Sequence, residues 1–211
     1  MLSNAKLILF DLDGTLLDSA EDIAVSANKI LNEIGKQALS KDEIRPLIGL
    51  PASEIFRFAG LDDSDDLDSI VSRFRQHLGE TGGSPDIVYP GVLETLDELS
   101  KRGLVLNVVT NKPTYLANLV LERSEISHYF VHVQGAENID PKPSPAGIKI
   151  CMAKANYLPV ETIMIGDSHV DVQAAKAAGC ISVGVAYHQE MRQTLADASP
   201  DLLVSNLNQM F

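Results

Sequence analysis

Short, continuous apolar runs recur along the chain and predict the strands of a buried sheet. A run in which nearly every residue is apolar suits a strand covered on both faces, as in a parallel sheet. The predicted strands are Lys6–Phe10, Leu104–Val109, Phe130–Val133, Thr162–Ile165, Ile181–Val185 and Leu202–Val204. Amphipathic segments of helical length separate most of them, so the predicted class is α/β, with a Rossmann-like, doubly wound parallel sheet.

The helices of this core are predicted from five amphipathic segments that follow residue 90. Gly103 and Gly179 stand where a helix should end before the next strand begins. The predicted core helices are Gly91–Arg102, Thr114–Arg123, Pro145–Asn156, Asp171–Ala178 and Gln189–Ala198.

The long interval between the first two predicted strands indicates an inserted domain. Its amphipathic segments have helical spacing, and none has the pattern of a strand. We therefore expect an α/β core of residues 1–17 and 90–211 and a small all-α domain of residues 18–89, which returns to the core through Gly82–Pro85. The predicted helices of the insert are Ser19–Ile34, Lys41–Ile48, Ala52–Ala59 and Asp65–Leu78.

The charge of the chain narrows the classes of partner. With 17 basic and 29 acidic residues among 211, the formal net charge is −12. A negative field of this size disfavours nucleic acids and anionic membrane surfaces. A small phosphorylated metabolite is compatible with it, because a local cation can reverse the field inside one cleft. The oligomeric state is left open between monomer and homodimer.

Targeting and redox signals favour a cytoplasmic protein. No apolar run approaches the roughly 18–20 residues that a membrane span needs, and the first apolar run ends at two aspartates, unlike a signal peptide. The two cysteines, Cys151 and Cys180, have no metal-ligand spacing and indicate no disulfide framework.

Polar side chains cluster after the predicted strands, where ligands bind in open α/β sheets. The candidate site residues are Asp11, Asp13, Thr110, Asn111, Lys142, Asp167 and Asp171. Asp11 and Asp13 share one face of an extended segment, and the other two carboxylates are four residues apart. Carboxylates that converge on one point repel each other unless a cation compensates them. All-oxygen ligation of this kind favours Mg²⁺.

A carboxylate pair beside such a cation suits phosphoryl transfer. One carboxylate can attack phosphorus and form an aspartyl-phosphate, and the other can protonate the leaving oxygen and then activate water. The Thr110 hydroxyl and the Asn111 amide suit binding of the phosphate. Lys142, held between two prolines, suits a position that bridges the nucleophile and the phosphoryl group.

These motifs resemble the haloacid dehalogenase-like hydrolase superfamily over nearly the whole chain. Its four signatures occur in order as Asp11–Thr15 (DLDGT), Thr110, Lys142 and Gly166–Asp171. The stretches DLDGTLLDS, VVTNKP and GDSHVDVQAAKAAGCISVGVAY look most like the phosphoglycolate phosphatase branch with an α-helical cap. An acid at position 13, which the dehalogenase and phosphonatase branches lack, favours phosphate-ester hydrolysis or phosphomutase chemistry.

The resemblance also implies roles for individual residues. It implies that Asp11 is the nucleophile and Asp13 the general acid/base. It further implies that Mg²⁺ is held by the Asp11 carboxylate, the Asp13 backbone carbonyl and Asp167, with Asp171 in support. The expected activity is therefore that of a phosphoric monoester hydrolase.

The substrate is the least determined part of this expectation. We expect 2-phosphoglycolate, with Arg45 of the insert as a bidentate clamp on its carboxylate and Gly49 in the adjoining loop. Pyrophosphate, sugar-phosphate and nucleotide phosphatases, a hexose phosphomutase and, more remotely, a phospho-receiver remain alternatives. The sequence assigns no role to His169, His188, Arg73 or Arg75.

Overall fold

Six parallel strands form one sheet at the centre of the protein, in the order β3-β2-β1-β4-β5-β6. The computed structural model describes residues 4–83 and 87–210, so part of the predicted Gly82–Pro85 return lies outside the described residues. The strands are β1 (Leu7–Phe10), β2 (Val105–Val109), β3 (His132–Gln134), β4 (Thr162–Gly166), β5 (Ile181–Val185) and β6 (Leu202–Val204). The predicted parallel α/β sheet is confirmed.

The central strand, β1, explains why the sheet is covered on both faces. All four of its side chains are apolar and fully buried. Leu7 and Leu9 pack into one hydrophobic cluster, whereas Ile8 and Phe10 pack into another on the opposite face. Because successive side chains of a strand alternate between faces, a strand without a polar face needs helices on both sides.

Nine α-helices accompany the sheet in the described part of the chain, and most lie where the sequence predicts them. The helices are α1 (Ala20–Glu33), α2 (Lys41–Ile44), α3 (Ser53–Phe58), α4 (Leu67–Thr81), α5 (Val92–Lys101), α6 (Thr114–Arg123), α7 (Ala146–Ala155), α8 (His169–Ala178) and α9 (Gln189–Asp197). None of these described helices has both the length and the apolar character required to cross a membrane.

Most element boundaries differ from the prediction by one to four residues; the predicted helix Lys41–Ile48, for example, is α-helical only to Ile44 and continues as a 3-10 turn over Arg45–Leu47. Two further shifts have a clear local cause. β3 begins at His132 rather than Phe130, because a 3-10 turn at Ser127–Tyr129 delays the ladder, which starts where His132 pairs with Asn107. α8 begins at His169, so that Asp171 lies within the first turn of the helix instead of being its first residue.

Residues 18–83 form a helical segment that packs through its own apolar side chains. Phe56 of α3 and Phe74 of α4 make an edge-to-face contact with ring centroids 5.7 Å apart. The segment leaves and re-enters the core at neighbouring points, since Leu17 and Val88 form an antiparallel bridge. The helices therefore lie beyond the carboxyl end of β1, where Gly49 approaches Asp11.

Candidate active site

Three carboxylates meet at the carboxyl ends of the neighbouring strands β1 and β4. Asp11 follows β1, Asp167 follows β4, and Asp171 reaches the same point from the first turn of α8. One carboxylate oxygen from each lies within 4.8 Å of those of the other two. The structure thus brings together three of the four predicted metal-ligating residues through their side chains.

Lys142 supplies a positive charge to this cluster. Its Nζ lies 2.7 Å from Asp11 Oδ1 and 2.6 Å from Asp171 Oδ1, and it donates to the Val109 carbonyl at 3.1 Å. Burial lowers the pKa of Lys142, but the charges of Asp11 and Asp171 outweigh that effect and leave the pKa raised. The ammonium therefore stays protonated and bridges the two carboxylates.

One lysine leaves the three carboxylates with excess negative charge. Burial raises the pKa of Asp11 to about 7, although the charge of Lys142 acts in the opposite direction. Burial, together with the charges of Asp11 and Asp171, also raises the pKa of Asp167 well above its ordinary value. Among the described residues, Asp11 Oδ2 is buried and has no hydrogen-bond partner. Buried, unpartnered carboxylate oxygens fit a hard divalent cation such as Mg²⁺.

Asp13 faces a different part of the site from the other three aspartates. Its Oδ1 lies 2.7 Å from the Nζ of Lys112, and both side chains are almost fully buried. Its carboxylate is consequently outside the acidic cluster, which fits the expectation that its side chain acts on a proton rather than a metal.

The loop after β2 joins three parts of the molecule. Asn111 Nδ2 donates to the Gly49 carbonyl at 2.8 Å and to the Lys142 carbonyl at 3.2 Å, and its Oδ1 accepts from the Lys142 amide at 2.8 Å. Thr110 is buried, and its hydroxyl accepts from the backbone N–H of Lys112 at 3.2 Å. Thr110 and Asn111 line one cavity together with Asp13 and Gly49.

The two predicted specificity residues of the insert lie on different sides of the site. A Cβ placed on Gly49 would lie 3.2 Å from Ser168 Oγ and 3.8 Å from Asp11 Oδ2, so this loop covers Asp11. Arg45 lines a second cavity with Asp167, where its Nη1 lies 2.5 Å from His188 Nε2 and 3.5 Å from Asp18 Oδ1.

Several functional contacts were missed from the sequence. The Thr15 hydroxyl donates to Asp167 Oδ1 at 2.9 Å, and Ser168 donates to Asp171 Oδ2 through its amide at 3.1 Å and its hydroxyl at 2.5 Å. A Ser three residues before an acid is a helix-capping pattern, so that signal was available. For the contact between Lys112 and Asp13, the only signal in the sequence is that a lysine lies two residues after Thr110.

The undecided residues lie around the periphery. His169 lines a cavity beside Asp167, whereas Arg73 is exposed and forms an ion pair with Glu33. Arg75 lines the same cavity as Asp13 and Thr110.

Comparisons with known proteins agree with this architecture. The family model of haloacid dehalogenase-like hydrolases matches residues 8–185. A phosphoglycolate phosphatase of Vibrio parahaemolyticus is 35% identical, with 97% of this chain and 94% of the relative covered, and one of Pseudomonas putida is 33% identical, with 96% and 77% covered. A solved structure described as a "predicted phosphoglycolate phosphatase" from Haemophilus somnus matches with a TM-score of 0.87 at 30% identity, covering 100% of this chain and 98% of its own.

The family match spans most of the chain, and the site lies where the strands of such a fold end. The chain belongs to the haloacid dehalogenase-like hydrolase family. It is a phosphatase, that is, a phosphoric monoester hydrolase acting on small phosphorylated substrates.

Proposed function

We propose that the protein is a Mg²⁺-dependent phosphatase that hydrolyses 2-phosphoglycolate through an aspartyl-phosphate on Asp11. The observation that carries the proposal is the Asp11 carboxylate: one oxygen is paired with Lys142, and the other is buried without a partner in the described part of the chain. Such an oxygen is free to bind a cation or to attack a phosphorus atom.

The metal would be held by the carboxylates of Asp11 and Asp167 and by the Asp13 backbone carbonyl. Asp171 would support the site indirectly, because both of its oxygens already accept hydrogen bonds, from Lys142 and Ser168. When bound, Mg²⁺ supplies the positive charge that offsets the crowded carboxylates and the phosphoryl oxygens.

The reaction proceeds in two displacements at phosphorus. The Asp11 carboxylate attacks the phosphorus atom, the bond to the ester oxygen breaks, and Asp13 donates a proton to that oxygen. Asp13 then takes a proton from water, which attacks the phosphorus of the aspartyl-phosphate and releases inorganic phosphate and the Asp11 carboxylate. Lys142 and the Thr110 hydroxyl stabilise the charge on the phosphoryl oxygens in both steps.

The chain has two parts: residues 1–17 and 90–211 form the core, and residues 18–89 act as a cap over the site. The hydrogen bond from Asn111 to the Gly49 carbonyl and the closeness of Gly49 to Asp11 Oδ2 support this role. A cap that closes after substrate binding excludes bulk water from the first displacement.

The relatives named as phosphoglycolate phosphatases support 2-phosphoglycolate as the substrate. The test is release of inorganic phosphate from a panel of monoesters, pyrophosphate, sugar phosphates and nucleotides, ranked by kcat/KM with and without Mg²⁺. We expect 2-phosphoglycolate to rank first and Mg²⁺ removal to abolish turnover. A higher rank for another class of substrate, or transfer of phosphate between hexose hydroxyls, would overturn the substrate assignment.

The nucleophile is tested separately by Asp11→Asn, with the exposed Asp68→Asn as control. Asn cannot form the acyl phosphate, and its neutral amide relieves charge repulsion in the cluster, so the variant should fold and be inactive. Retention of more than about a tenth of the wild-type rate would contradict the assignment.

A further inference from the structure

The cavity between the helical segment and the core has two chemically different walls. The core contributes polar groups, including Asp13, Thr110 and Lys112. The side chains contributed by the helical segment are apolar within the described residues, with Arg75 of α4 as the exception. The apolar members of that wall are Ile23, Leu47, Ile48, Leu50, Ala52, Ile55, Phe74 and Leu78.

Arg75, which lines this cavity, has an unused donor. Its Nε is buried and has no hydrogen-bond partner among the residues that the structure describes. A guanidinium donor that is buried without an acceptor carries the full cost of losing its hydration. A buried donor on a fixed charge beside an apolar wall is stabilised by an anion that accepts from it.

The other cations near the site are already engaged. Lys112 is paired with Asp13, and Arg45 binds Asp18 and His188 on the far side of the site. Arg73, two residues from Arg75 on the same helix, forms an ion pair with Glu33 at the surface. Arg75 is thus the arginine that lines this cavity and, within the described chain, has a buried donor without a protein acceptor.

Arg75 also reaches toward the core. Burial raises the pKa of Glu137, but hydrogen bonds from Thr114 and the charge of Arg75 outweigh it, so the pKa is lowered. One carboxylate oxygen of Glu137 accepts a hydrogen bond from the Thr114 amide at 2.8 Å. Glu137 and Arg75 form no ion pair among the described residues. The guanidinium therefore lies near the core wall, and its Nε has no acceptor among the described residues.

We infer that Arg75 is a specificity-determining residue that binds a carboxylate on the alcohol part of the substrate. This rests on the proposed function, in which Asp11, Thr110 and Lys142 take the phosphate. The apolar wall offers no partners for sugar hydroxyls, so it suits a short carbon linker between the two anionic ends. The substrate class is the phosphate monoester of a short hydroxy acid.

The test compares a substrate that has a carboxylate with one that lacks it, in matched variants. Arg75→Gln should lower kcat/KM for 2-phosphoglycolate by about 30- to 100-fold, the worth of a charge-assisted hydrogen bond. It should change kcat/KM for propyl phosphate by less than about twofold, because that ester lacks the carboxylate. Arg75→Lys should recover part of the loss, and the control Arg73→Gln should alter neither substrate.

Binding is measured independently of turnover by calorimetry in the presence of Mg²⁺. Affinity for 3-phosphonopropionate, a non-hydrolysable analogue with a carboxylate, should fall in Arg75→Gln, whereas affinity for propylphosphonate should not. If Arg75→Gln lost kcat/KM and affinity equally for both members of each pair, or lost neither, the inference about Arg75 would be wrong. Hydrolysis of propyl phosphate by the wild type would still support the proposed phosphatase mechanism. Failure of the wild type to hydrolyse either ester would instead overturn both.

Discussion

Gly49 offers a direct test of whether the helical segment closes on Asp11. Its φ is +84°, in the left-handed region, and a methyl group there would meet Ser168 Oγ at 3.2 Å and Asp11 Oδ2 at 3.8 Å. Gly60 has the same backbone conformation, with φ +85°, but a methyl group there would meet nothing within 4 Å. Gly49→Ala and Gly60→Ala therefore carry the same backbone strain and differ in what the methyl touches.

The two variants should separate stability from activity. Left-handed strain of about 1–2 kcal/mol applies to both, which corresponds to a Tm decrease of roughly 2–8 °C for a chain of this size. Gly49→Ala adds an overpacked contact that exists only when the loop lies on the site, at a cost of about 1–3 kcal/mol. That cost should lower kcat/KM by roughly 5- to 150-fold, since 1.36 kcal/mol is a factor of ten.

The assay is steady-state phosphate release, with Tm from differential scanning calorimetry on the same preparations. Gly60→Ala should keep kcat/KM within about twofold of wild type. If Gly49→Ala matched Gly60→Ala in both Tm and kcat/KM, the loop would not need to approach Asp11 during turnover, and the closed-cap argument would fail.

Three further outcomes follow from the charge cluster. Lys142→Met should lower the free energy of unfolding by about 3–5 kcal/mol, because it leaves Asp11 and Asp171 buried without their cation; urea denaturation measures it, and a loss below 1 kcal/mol would contradict the pairing. Thr15→Val should weaken Mg²⁺ binding about tenfold by releasing Asp167 Oδ1, as read from Mg²⁺ titration of the rate, and unchanged affinity would refute this. Mg²⁺ at about 100 times its Kd should stabilise the protein by about 2.7 kcal/mol in thermal unfolding, and an equal gain in Asp167→Asn would argue against a site there.

The sheet and most helix positions could be predicted because they depend on local pattern. The LILF run of β1 has no polar side chain to face solvent, and Thr114–Arg123 has the same bounds in sequence and structure. The start of α8 was placed two residues late because the Ser168–Asp171 capping pattern was not used.

The contacts of the site also fall into those that the sequence pattern predicts and those that depend on the packed fold. Asp11 and Asp167 could be placed together because both follow parallel strands, whose carboxyl ends share an edge of the sheet. The contact between Lys112 and Asp13, 99 positions apart, depends on side-chain directions at the end of β2. The position of Arg75 depends on how α4 packs against the core, and no local sequence pattern predicts that packing.

Asn111 lets the Gly49 loop lift from the core at little cost. When the Gly49 carbonyl withdraws, Nδ2 still has the Lys142 carbonyl at 3.2 Å as an acceptor, and Oδ1 still accepts from the Lys142 amide. Withdrawal of the Gly49 loop thus costs Asn111 one hydrogen bond, worth about 0.5–1.5 kcal/mol, without stranding a donor in the interior. A contact of that strength lets thermal motion part the Gly49 loop from Asn111, while the backbone of Lys142 beneath it keeps its place.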